Sequence, residues 1–152
     1  MRSTAACFAE LREYVSGLPV IDCHCHAQER SKFEDILVCL AAGYFGSDLH
    51  AASSDRDMAF IRDTKRTIEE RWPVFEKAYR RARHTGYALH ARMAAEKTFG
   101  ETEITLESAK RMQAAMPDFT DPAVFQAYYD DAKIVARIAN VWPPLKDLVR
   151  GD

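Results

Sequence analysis

Long apolar runs are missing from this sequence. The longest nearly apolar stretch, residues 36–45, contains glycine and falls far short of the ~20 residues that a bilayer span needs. The opening residues, MRSTAACFAELREYVSG, carry Glu10, Arg12 and Glu13, which interrupt the kind of apolar core a secretory signal uses. Net charge is scarce as well. With 21 basic and 23 acidic residues the balance is −2, which gives no electrostatic preference for nucleic acid or an anionic membrane. No C-x-x-C occurs, so a zinc ribbon, a thioredoxin-like site and a c-type haem site all lack their motif. The four cysteines, Cys7, Cys23, Cys25 and Cys39, are even in number. A chain of this size does not need disulfide staples, so reduced thiols in a cytoplasmic protein are the expectation. Repeats and low-complexity tracts are absent too.

What is present is enough apolar material for a core. The chain has 152 residues, of which 47% are hydrophobic and 11% aromatic. That length and composition suit one ordered domain over residues 1–152. Phe8, Leu11, Val15 and Leu18 fall at helical spacing, and Gly17 with Pro19 ends that helix. Val20-Ile21-Asp22-Cys23-His24 then reads as a buried strand. Ser31 and Glu34 have the spacing of a capping box that opens a helix running to Gly43. Ser54 with Asp57 suggests another start, for a helix reaching about Arg71. Pro73 suits the first turn of a helix on which Trp72, Phe75, Tyr79 and Ala82 share a face, with Phe99 closing one end. Thr85-Gly86 marks a break, and a helix ending at Phe99-Gly100 follows. Thr105 caps the next helix, and Asp121-Pro122 opens the last, with Phe125, Tyr128 and Tyr129 on its buried side. In KIVARIANVW, Ile134, Ala136 and Ile138 alternate as in a strand, although Ala and Arg dilute the signal. Two strands joined by a helical crossover are usually parallel.

The stretch LPVIDCHCHA, residues 18–27, carries the chemistry. In a regular strand side chains alternate, so His24 and His26 share one face while Cys23 and Cys25 occupy the other, as small buried hydrophobes. Two residues apart at ~3.3 Å each, the imidazoles stand ~7 Å apart along the backbone and can converge on one ion. Neutral imidazole suits Zn²⁺, Fe²⁺, Ni²⁺ and Mn²⁺. Two ligands are too few for catalytic zinc, which takes three from the protein and keeps one position open. A bare His-x-His is more often a pair of polar residues bonded to backbone. Its place at the C-terminal end of a strand, ahead of the polar loop AQERS, is where parallel α/β folds put their active-site groups.

VIDCHCH resembles the first-strand signature of the amidohydrolase superfamily of metal-dependent (β/α)₈ barrels. Residues 71–100, RWPVFEKAYRRARHTGYALHARMAAEKTFG, are similar to the helical insertion after strand one in its uronate-isomerase-like branch. That branch includes amidohydrolase domains fused to glutamine-synthetase-like proteins. DDAKIVARIANVWPPLKDL resembles the start of the second strand. The resemblance implies an α/β ancestry in a mostly helical chain. Strand one would span 19–24, a helical insertion 31–132 and strand two 134–141, as the first two parallel strands of a TIM-type barrel. It implies His24 and His26 as metal ligands, with zinc the expected metal, and Arg83 and Tyr87 as substrate contacts. Asp22, Tyr44 and Asp48 would be structural. The expected reaction is hydrolysis of an amide, lactone or ester of a small molecule by metal-activated water. Sugar-acid isomerisation and decarboxylation are relatives of it.

The family's remaining ligands and its general base come from later strands, and a whole barrel takes ~250 residues. The expectation is therefore an incomplete, inactive fragment that self-associates or needs a C-terminal half. The alternative is a non-catalytic helical interaction module. Read from the residues alone, His84 and His90 are six apart and do not chelate together, and the run YRRARH, residues 79–84, is either an anion clamp or a solvated face.

Overall fold

The computed structural model describes residues 3–25 and 35–139. In chain order the elements are α1 (Thr4–Ser16), β1 (Val20–Cys25), α2 (Ile36–Leu40), α3 (Gly43–Ala51), α4 (Asp55–Ile61) and α5 (Ile68–Ala82). They continue with α6 (Gly86–Phe99), α7 (Leu106–Ala114), α8 (Pro122–Asp131) and β2 (Ile134–Ala139). The contacts divide into two compact units, one holding α1, β1, α8 and β2, the other holding α2 to α7.

Local chemistry sets most helix starts. Ser54 accepts from the Asp57 amide, Thr85 from Ala88, Thr105 from Ser108 and Asp121 from Ala123. Each satisfies one amide that the first helical turn leaves without a partner. Gly100 ends α6 at φ 74°, a left-handed conformation that suits glycine. The expected Ser31–Glu34 capping box lies outside the described residues. The helix expected to follow it as one piece divides into α2, capped by Asp35, and α3.

The helix starting after Ser54 stops at Ile61, well short of Arg71. Thr67 and Glu70 form a reciprocal capping box there and start α5, so Pro73 stands inside the helix and not in its first turn. That box is a strong start signal that competes with continuing the preceding helix.

The helical unit has its own core. Trp72, Phe75, Tyr79 and Ala82 are buried along one face of α5, as their spacing predicts, and Phe99 packs partly buried against the cluster. Trp72 lies 5.3 Å from Phe75 between ring centroids, and Phe75 stacks on Tyr79 at 5.9 Å. Arg71 is also inside, at 1% exposure. Its Nη1 donates to the Ile61 carbonyl at 2.9 Å, its Nε to the Thr67 carbonyl at 3.2 Å, and its Nη2 pairs with the Asp35 carboxylate. One guanidinium thus ties the end of α4, the start of α5 and the cap of α2. Burial pushes the Cys39 thiol up to about 11, in keeping with a small, inert, half-buried side chain.

Gly46 marks a close approach. A Cβ there would stand 2.3 Å from the Ala41 carbonyl oxygen, which also accepts from Arg62 Nη2 at 2.7 Å. Gly→Ala within a helix ordinarily gains about 0.5–1 kcal/mol. Here the sign reverses, and Gly46→Ala is expected to lose about 1–3 kcal/mol because backbone must move. A urea midpoint at or above wild type would show that α2 and α3 separate at no cost.

In the other unit β1 and β2 pair in parallel. Lys133, at φ 55°, turns the chain from α8 into β2, and its carbonyl accepts the Val20 amide at 2.8 Å. The alternation of Ile134 and Ile138 is realised as a strand because β1 supplies a ladder. Burial differs from the expectation. Ile21 is 64% exposed and Val135 67%, and Cys23 is exposed too. A strand acquires a buried face only when a layer covers it, and among the described residues none covers these. Phe125, Tyr128 and Tyr129 of α8 are half-buried, clustered with Phe119.

Candidate functional site

His24 sits on β1 near its C-terminal end, with its side chain exposed. Its backbone amide donates to Asp22 Oδ1 at 3.2 Å, so the Asp22 carboxylate serves a local turn in the strand. The register pairs Asp22 with Arg137 and Cys25 with Ala139, which places three steps of β1 against two of β2. The slip falls on Cys23 and His24. Strict alternation therefore does not hold at the histidine step, because an extra residue in one strand re-aims its side chains. His26 lies outside the described residues.

A metal needs a convergent donor set. Among the described residues no three of His, Cys, Asp and Glu come together in a group able to hold an ion. Of the two histidines read as ligands, the described residues include only His24, against the three ligands that catalytic zinc takes. These residues do not by themselves fit a closed metal site.

The two substrate contacts implied by resemblance belong to the other unit and occupy different surfaces. Arg83 is the C-cap of α5 and lines a groove of ≈ 460 Å³ with Tyr79, Arg80, His84, Arg92 and Ile104. Tyr87, in the first turn of α6, stacks on Tyr44 with ring centroids 5.0 Å apart and does not line that groove. Both rings of that stack are exposed. His50 bonds to Asp55 Oδ1 at 2.5 Å on the surface, joining α3 to the start of α4. His84 accepts from Arg83 Nε at 3.1 Å, and His90 is exposed.

Sequence reasoning missed two features. Arg92 shares the groove with Arg80 and Arg83, which the run YRRARH already signalled as a basic cluster. Arg71 had no signal, since its partner Asp35 is 36 residues away.

Asp48 of α3 carries a further chemical oddity, a buried Oδ2 without a hydrogen-bond partner among the described residues. Among the described residues, no helix is long and apolar enough to cross a membrane. No protein-family model, curated protein or solved structure matches this chain.

Proposed function

We propose that this chain is the N-terminal part of a metal-dependent, amidohydrolase-like hydrolase barrel, and that it does little chemistry alone. The observation that supports this reading is the parallel β1–β2 pair with His24 at the C-terminal end of its first strand. In parallel α/β folds, active-site groups emerge at that end of the strands. The exposed Ile21, Val135 and Ile138 agree with strands built to sit under further layers. In such a barrel, His24 and His26 supply two imidazole ligands from strand one, and further strands supply the rest. A bound divalent ion would lower the pKa of its water and polarise a substrate carbonyl.

Zinc titration of the wild type against His24→Ala/His26→Ala tests the proposal. Weak binding is expected in the wild type, because water fills most coordination positions and imidazole protonation competes at lower pH. Binding should weaken further in the double variant. Equal binding by both proteins would remove the histidine pair as ligands and overturn the reading. Tight one-to-one binding lost in the variant would place a complete site within this chain.

The same reading expects association. A two-stranded sheet is marginal alone, and its apolar side chains are open to solvent. Light scattering across a concentration series should show self-association. A sharply folding monomer at high concentration would favour the second reading, a self-sufficient helical interaction module. The separate core of the helical unit is what speaks for that one.

A further inference from the structure

We propose that the groove along the C-terminal half of α5 is a binding site for a small anion, a phosphate- or carboxylate-bearing molecule. The groove belongs wholly to the helical unit, so this inference does not rest on the metal-hydrolase reading.

The groove gathers positive charge. Arg80, in the last turn of α5, and Arg83, its C-cap with helical backbone angles, stand three apart and therefore project to one side. Arg92 joins them from α6, and the three arginines line one groove. Four other cations of this unit have carboxylate partners. Arg71 pairs with Asp35, Arg66 with Asp63, Lys110 with Glu69, and Arg111 with Glu101. Among the described residues, Arg80, Arg83 and Arg92 form no such ion pair. Glu76 and Glu103 share the lining without reaching them, which leaves the groove net positive by one in a chain that is net negative. Like charges gathered without partners repel one another, and an anion seated between them relieves that repulsion.

Geometry adds to charge. Arg83 Nε donates to His84 Nε2, which fixes the plane of its guanidinium and leaves both terminal nitrogens for an acceptor. That fork is the arrangement that takes a carboxylate or phosphate through two parallel hydrogen bonds. Arg92 Nη1 donates to the Arg83 carbonyl at 3.1 Å, which anchors the second arginine over the end of α5. Tyr79 and Ile104, both buried, add apolar surface to the lining of the groove.

The test is calorimetric titration of the full chain with inorganic phosphate and, separately, with succinate, at low ionic strength. Saturable binding of either is expected, and the tighter of the two identifies the acidic group preferred. Arg83→Gln and Arg80→Gln should each weaken it by about tenfold or more. Arg56→Gln makes the same charge change on an exposed part of α4 and should leave binding unaltered. Circular dichroism melts of all three variants report whether each remains folded, so a loss of binding is read only from folded protein. Absence of saturable binding for both anions overturns the proposal. So does an equal loss in Arg56→Gln, which would reduce the effect to overall charge.

Discussion

Asp35→Ala is expected to destabilise the helical unit by about 3–5 kcal/mol, the usual consequence of leaving a buried charge without its counter-ion. Arg71 is 1% exposed on its side chain and Asp35 13%, so water cannot replace the lost carboxylate. The substitution also removes the cap of α2, because Asp35 Oδ1 accepts the Val38 amide at 3.0 Å. Asp35→Asn keeps the capping oxygen and loses the charge, and so should fall between wild type and Asp35→Ala. A double-mutant cycle with Arg71→Met separates the pair's coupling from the bonds Arg71 makes to the Ile61 and Thr67 carbonyls. Urea denaturation followed by the helical circular dichroism signal is the measurement. A loss below about 1 kcal/mol in Asp35→Ala would mean that the guanidinium reaches solvent and that the buried pair is not formed in solution.

Trp72→Ala should cost about 3–5 kcal/mol, combining lost burial with the cavity left behind. At 7% exposure Trp72 lies almost wholly inside, with its ring against Phe75, which is itself fully covered. Neighbouring helices can close only part of such a void, since Phe75 is already stacked on Tyr79 and Tyr79 meets Phe45 edge-on at 6.1 Å. Trp72→Phe, which retains most of the apolar volume, is expected to recover much of the stability. A change below about 1 kcal/mol on truncation to alanine would place the indole at the surface of the molecule in solution.

Both effects reside in the helical unit, and that has a consequence for the proposed chemistry. Asp35→Ala and Trp72→Ala alter α2, α4 and α5, whereas His24 belongs to β1 in the other compact unit. The anion groove lies along α5, so its affinity should fall with these substitutions only insofar as the helix itself melts.

Features that depend on a few neighbouring residues were legible in the sequence. Ser54, Thr85, Thr105 and Asp121 announce helix starts because a cap and its amide partner lie within three residues. Trp72, Phe75 and Tyr79 announce a buried face because helical periodicity is a property of the chain alone. The two strands were legible for the same reason. Pro73 misled because proline is acceptable in the first turn, while Thr67 and Glu70 set the start six residues earlier. The burial of β1 misled because apolar composition states a capacity for burial and not the presence of a covering layer.

The sequence by itself determined the helix starts at Ser54, Thr85, Thr105 and Asp121, the apolar face of α5, the two short strands and the His-x-His at residues 24–26. These follow from rotamer, hydrogen-bond and periodicity rules that act over one or two turns of chain. Only the tertiary structure decided that Arg71 lies inside against Asp35, that Gly46 must stay small, and that Arg92 joins Arg80 and Arg83 in one groove. It alone also decided that the β1–β2 ladder slips at the step carrying His24. Each of those outcomes depends on which distant segment supplies the counter-charge, the close backbone or the pairing strand, and no local pattern encodes that choice.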